Sequence, residues 1–142
     1  MSAPNVIKQA WYFRADAQNN FGKAVYLFGD NCKRRGYGGQ AKEMRDEPNA
    51  IGIATKNTPT SGSNAYFSDD DFIENCRVIA TDFRAAFQAR DDGLIVIFPT
   101  DGLGTGLSEL PKRAPRTNAF LDEIVEMLFS GGQPAWKQIL ND

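Results

Sequence analysis

Three short stretches of the chain are apolar at nearly every position instead of at every second one: Ala24-Val25-Tyr26-Leu27-Phe28-Gly29, Ala50-Ile51-Gly52-Ile53-Ala54-Thr55 and Leu94-Ile95-Val96-Ile97-Phe98. A strand covered on one face alternates apolar with polar residues, whereas a strand covered on both faces need not. These stretches therefore predict buried strands of a mostly parallel sheet. The last of them is β-branched and uninterrupted, which puts it at the centre of the sheet. Small residues in the second, Gly52 among them, let another group approach its backbone closely. Ala10-Trp11-Tyr12-Phe13-Arg14 is aromatic enough to predict a further strand, near a sheet edge because polar residues follow it.

Between these stretches the period changes. Phe72, Ile73, Cys76, Ile79, Ala80, Phe83 and Phe87 recur at helical spacing and predict a helix from about residue 69 to 90. Ser68 and Asp71 resemble a capping box at its start, and Asp91-Asp92-Gly93 ends it. Pro115 stands near the start of a second helix that buries Phe120, Leu121, Ile124, Val125 and Leu128 and is closed by Gly131-Gly132. A short helix is predicted over Gln40 to Arg45, after a basic, glycine-rich loop and before Glu47-Pro48-Asn49. Residues 57–66 are rich in Asn, Thr, Pro, Ser and Gly and predict an exposed loop, a candidate lid. Alternating strands and helices give an α/β protein, a three-layer α/β/α sandwich with a mostly parallel or mixed sheet, in a single domain over residues 1–142. At that length roughly two-thirds of the unfolded surface can be buried, so a core forms without staples.

Composition narrows the chemistry. Sixteen basic against eighteen acidic residues leave a formal charge of −2, too little for a general footprint on nucleic acid or an anionic membrane. Any anion must be held locally. No apolar stretch is long enough to cross a bilayer and the amino terminus does not read as a signal peptide, so no membrane association and a cytoplasmic location are expected. Cys32 and Cys76 are expected to be free thiols. The absence of histidine excludes serine-histidine and cysteine-histidine nucleophile systems and the commonest zinc sites. Asp69-Asp70-Asp71 has a spacing compatible with metal ligation, but three aspartates at a helix amino terminus are already explained by the helix dipole. Neither a metal nor a cofactor is predicted.

Two glycine-rich loops carry the candidate site, each directly after a predicted strand. The first runs Asp30-Asn31-Cys32-Lys33-Arg34-Arg35-Gly36-Tyr37-Gly38-Gly39-Gln40-Ala41, and the second Pro99-Thr100-Asp101-Gly102-Leu103-Gly104-Thr105-Gly106-Leu107. Glycines let backbone N–H groups converge on an anion, and the following helix adds the positive end of its dipole, so a phosphate can be held without net positive charge. Lys33, Arg34 and Arg35 are placed to reinforce this. Three glycines at alternating positions, Gly102, Gly104 and Gly106, cost more chain entropy than a plain reversal requires, and open sheets bind ligands at the carboxyl ends of their strands. Thr55 and Lys56, at the end of the middle strand, offer a hydroxyl and an ammonium beside the same place. Asp30 and Asp101 are the catalytic candidates, able to orient a ribose hydroxyl or activate water, or else to cap the turns that follow them. Tyr37, between glycines, is the aromatic expected to touch a ligand, whereas Trp11, Tyr12, Phe13 and Tyr26 read as core and sheet surface.

Asn31 followed by Gly36-Tyr37-Gly38-Gly39-Gln40-Ala41, and the segment Leu94 to Gly106, resemble the macro domain, a family that binds ADP-ribose and related nucleotides and in some members hydrolyses ADP-ribose derivatives. The resemblance implies that Asn31 contacts the distal ribose, Gly38 to Ala41 the region near it, and Gly102 to Gly106 the diphosphate. The chain departs from the family in lacking an adenine-contacting segment near its amino terminus and in having Asp30 directly before Asn31. The run through Gly102, Gly104, Thr105 and Glu109 is also similar to lysine-decarboxylase-like nucleotide phosphoribohydrolases. The asparagine-glycine loop and the Thr-Lys strand end are similar to uncharacterised phage and plasmid proteins. The expected function is binding of a phosphate-bearing nucleotide-type ligand such as ADP-ribose, with or without hydrolysis. The alternatives are a non-enzymatic mobile-element protein that sequesters a nucleotide signal or binds a host partner, a nucleotide phosphoribohydrolase-like enzyme, and an assembly protein whose glycines serve only folding.

Overall fold

A computed structural model describes residues 2–141. Four strands, β1 (Val6–Gln9), β2 (Ala24–Asp30), β3 (Ala50–Ala54) and β4 (Ile95–Pro99), form one all-parallel sheet in the order β1-β4-β2-β3. Six helices accompany them: α1 (Arg14–Asn19), α2 (Ala41–Met44), α3 (Phe72–Asp91), α4 (Leu110–Arg113), α5 (Pro115–Ser130) and α6 (Trp136–Leu140).

Alternate residues of β2 and β4, with Ile53 of the edge strand β3, supply two separate cores. Leu27, Ile53, Val96 and Phe98 pack with Ile79, Phe83 and Phe87 of α3 and with Leu121, Ile124 and Leu128 of α5. Ala24, Tyr26, Phe28 and Ile97 face the other way, onto Tyr12, Ala17 of α1, and Ala41 and Met44 of α2. Helices thus cover both faces, which is why β2 and β4 read as continuous apolar stretches. The path through the sheet fixes where a ligand can lie. The chain leaves β2 through α2 on one face, and leaves β4 toward α5 on the other. Because β2 and β4 are neighbours, a crevice opens between their carboxyl ends, the usual binding position in open α/β sheets.

The strand expected over Ala10 to Arg14 is not formed. The edge strand lies upstream at Val6–Gln9, and residues 10–13 join it to α1. Tyr12 is fully buried there, its hydroxyl 2.8 Å from the carbonyl of Leu27 and 3.3 Å from that of Ile97, while its ring meets Tyr26 edge-on at 5.2 Å. The aromatic signal was therefore that of a side-chain anchor bridging β2 and β4. Trp11 and Phe13 remain exposed.

Helix boundaries follow local chemistry. Ser68 Oγ accepts the N–H of Asp70 at 3.2 Å, capping a single 3₁₀ turn, Asp69–Asp71, from which α3 continues. Gly93, at φ +86°, closes α3, and Gly131, at φ +89°, closes α5. Among the described residues no helix is long and apolar enough to cross a membrane, and both cysteines are free thiols, Cys32 exposed and Cys76 buried.

Candidate functional site

Both glycine loops reach the crevice at the carboxyl ends of β2 and β4. They line one cavity of about 250 Å³, together with Lys56 and Pro59 from the segment after β3. Of the residues singled out in the sequence, Asp30, Asn31, Arg35, Gly36, Gly38, Gly39, Gln40, Ala41, Lys56, Asp101, Gly102, Leu103, Gly104, Thr105 and Gly106 line it. Tyr37, Thr55 and Thr100 do not; Tyr37 is 65% exposed on the outer side of its loop.

The second loop is shaped by its glycines. Gly102 and Gly104 have φ of +84° and +77°, so left-handed residues flank Leu103, an alternation of the kind that turns successive N–H groups toward one side. The loop is closed by Gly102 N–H on the Pro99 carbonyl (2.9 Å) and by Leu110 N–H on the Gly104 carbonyl (2.8 Å). Between these anchors the N–H groups of Leu103 to Ser108 donate to no acceptor among the described residues. Gly104 is required twice over, by its φ and because a Cβ there would come within 3.0 Å of Leu110 Cβ. Thr55, wholly buried, supports this loop from beneath through a 2.5 Å hydrogen bond between its hydroxyl and that of Ser108.

The first loop is held by side chains. Asn31 Oδ1 accepts the N–H of Lys33 at 3.0 Å and its amide donates to the Arg35 carbonyl at 2.7 Å, which leaves one amide hydrogen for a ligand. Arg45 is the strut underneath: its guanidinium grips Asp30 through two hydrogen bonds of 3.0 and 2.7 Å and also donates to the Gly36 carbonyl. Asp30, 8% exposed, further accepts the Asn31 N–H at 2.8 Å. Gly52 makes room for this carboxylate, because a Cβ on it would overlap Asp30. The group expected to approach that small strand residue is thus an internal ion pair. Gln40 reaches away from the cavity, accepting from Tyr12 N–H and donating to the Ala10 carbonyl, each at 3.0 Å. At four residues, α2 contributes far less dipole than a full helix would.

The charged side chains divide into two groups. Arg34, strained at φ +55°, is committed to the exposed edge of β3: it donates to the Gly52 carbonyl and grips both oxygens of Asp82, whose carboxylate in turn accepts the Ala54 N–H. Burial pushes the Asp82 carboxyl above its usual range, and the bonds from Ala54 and Arg34 oppose that shift only in part. Arg35 lines the cavity and has no acidic partner among the described residues. Lys56 lines it too, is only 8% exposed, and has its ammonium on the Thr60 carbonyl at 2.7 Å and over the Tyr66 ring at 4.6 Å. Asp101 sits exposed at the rim.

Residues 57–66, expected as a candidate lid, are tied back on themselves. Asn57 N–H bonds the Ala65 carbonyl at 2.8 Å, its side chain reaches the Asn64 and Tyr66 carbonyls, and Lys56 pairs with Tyr66. This places Pro59 against Gly36. On the opposite side Leu107 packs against Gly38, whose Cβ, were there one, would lie 2.9 Å from it. Gly29, Arg45, Pro59, Pro99, Leu107 and Ser108 also line the cavity, though the sequence did not single them out as site residues. Only Arg45 had a cue, the small residue at 52 that implies a crowded neighbour.

Asp69-Asp70-Asp71 lies away from the cavity. Asp69 accepts the N–H groups of Arg116 and Thr117 and the Thr117 hydroxyl, capping α5 rather than α3. No group of side chains suited to a metal is present among the described residues.

Comparison with curated proteins and with solved structures returns no match. The profile of a family of unknown function, DUF7831, matches residues 7–124, a span running from β1 into α5 and containing every residue that lines the cavity. The chain belongs to family DUF7831.

Proposed function

We propose that the crevice between β2 and β4 binds a phosphate-bearing nucleotide-type ligand, with ADP-ribose or a derivative as the first candidate from the macro-like character of its two loops. The observation that carries this reading is the run of six backbone N–H groups, Leu103 to Ser108, that bond no acceptor among the described residues, in a cavity-lining loop turned by Gly102 and Gly104 at positive φ. N–H groups with no protein acceptor are free to exchange water for an anionic oxygen. Asn31 and Arg35 face the same cavity from the first loop, where a ribose hydroxyl and a phosphate oxygen need donors.

Hydrolysis is the less supported half. Asp30 has its oxygens taken by Arg45 and by the Asn31 N–H, so it acts as a positioning residue. Asp101 is the remaining carboxylate of the lining, and it would orient a water or a ribose hydroxyl at the rim. The commitment of Asp30 favours the second reading, a protein that sequesters a nucleotide without turning it over. Titration calorimetry with ADP-ribose and a nucleotide panel, followed by chromatography of the recovered ligand, tests both. Saturable binding with intact ligand supports sequestration, and product formation that disappears in Asp101→Asn supports hydrolysis. No heat and no thermal shift with any of them contradicts the whole reading.

A further inference from the structure

Lys56 presents a feature that binding by loop amides does not explain. Its side chain is almost wholly buried, yet no carboxylate lies within 4 Å of its ammonium among the described residues; its neighbours are one carbonyl and the face of Tyr66, which also carries Arg113 at 3.7 Å. A buried ammonium without a counter-charge is costly, and chains keep one only where something compensates. Arg35, also lining the cavity, has no acidic partner either, whereas Arg45 is neutralised by Asp30. Setting that pair aside leaves two cationic residues, Arg35 and Lys56, in the lining that the amide run shares, opposed by a single exposed carboxylate at the rim.

We propose that Lys56 is the ligand's charge partner and that the site selects a terminal phosphate, a phosphomonoester dianion, over an internal phosphodiester or diphosphate; this rests on the phosphate-binding reading of the crevice above and turns the choice among its candidate ligands from intact ADP-ribose to nucleotide derivatives that end in a phosphomonoester. A phosphomonoester near neutral pH carries close to two negative charges and three acceptor oxygens. Two unpaired cations and a row of amides match that number, whereas each phosphate of a diester chain carries one charge and two free oxygens. Shape agrees. Leu107 closes on Gly38 and Pro59 on Gly36, so the cavity, at about 250 Å³, lies at the small end for ligand sites and suits an end group with its sugar better than a chain running through. The lining contains no aromatic ring, so a base, if present, is not stacked inside it.

The test uses calorimetry on the full chain with ribose 5-phosphate, adenosine 5′-monophosphate, adenosine 3′,5′-cyclic monophosphate and ADP-ribose, on wild type and on Lys56→Met, with melting temperatures of both unliganded proteins. The monoesters bind at least tenfold more tightly than the cyclic diester or ADP-ribose. Lys56→Met loses at least tenfold in monoester affinity while its unliganded melting temperature is unchanged or raised, since a buried uncompensated charge has gone. A lysine held for structure alone gives the opposite pattern, a lowered melting temperature with affinity kept, and overturns the inference. Should Lys56→Met not fold, the wild-type ranking decides by itself. ADP-ribose binding as tightly as the monoesters overturns the selectivity while leaving the phosphate-binding reading intact, and no binding by any of the four overturns both.

Discussion

Arg45 makes more of the site than any residue that would touch a ligand. It links the end of β2 to the first glycine loop by holding Asp30 and the Gly36 carbonyl at once, and its guanidinium lies over the Phe28 ring at 5.5 Å. Replacing it leaves Asp30 buried beside Gly52 without its partner, the situation in which breaking a buried ion pair is most damaging. Arg45→Met is expected to lose about 3–5 kcal/mol of stability, read by chemical denaturation. An effect of only a few tenths would mean that Asp30 relaxes onto Arg34, 3.6 Å away, and that the strut is redundant. Sequence reading pointed to Asp30 and to the smallness of Gly52 but could not join them to Arg45, because the pair closes across a loop and nothing local marks it.

Among elements, α3 and the turn before it show how one long helix secures both ends of another, α5. Asp69, just before α3, accepts the first free N–H groups of α5; Arg90, near the end of α3, donates to the Met127, Leu128 and Gly132 carbonyls at the end of α5. An acid at the amino end and a guanidinium at the carboxyl end both oppose the helix dipole. Asp69→Ala is expected to cost about 0.5–2 kcal/mol, the usual range for a lost cap. Burial works to raise the Asp69 carboxyl, but the N–H groups of Arg116 and Thr117 and the Thr117 hydroxyl outweigh it and hold the group below its ordinary 3.8. A lowered native value means the stabilisation is fully present above the unfolded value and is lost as pH falls through the native one. The melting temperature of wild type should therefore fall more steeply below about pH 4 than that of Asp69→Ala, and parallel curves would refute the cap.

The same elements show what the sequence can and cannot disclose. β4 and α3 were legible because each carries its own signal, unbroken β-branching in one and helical spacing in the other. β1 was missed because a four-residue edge strand containing Lys8 and Gln9 has little apolar signature, while the nearby aromatic Tyr12, a buried anchor, has a strong one. The aspartate triplet is expected to answer the dipole of the helix that follows it, whereas Asp69 caps α5, a tertiary relation that spacing along the chain does not contain. In the site, glycine positions were legible because a positive φ leaves few other residues possible; the burial of Lys56 was not, since it follows from how residues 57–66 fold back.

At the scale of the whole molecule, the sheet order decides the matter. Loops more than sixty residues apart come together because the chain leaves β2 toward one face and β4 toward the other, and these strands are neighbours. The first loop brings cations and the second a run of unbonded amides, so the proposed anion site belongs to the crevice they share. The most direct measurement is an amide correlation spectrum of the labelled protein titrated with adenosine 5′-monophosphate. Saturable shifts concentrated at Leu103 to Ser108, with a second group at Gly36, Gly38 and Gly39, are the predicted result. A spectrum in which those amides stay still, or in which the changes gather instead around Asp69 to Glu74, would contradict the shared site.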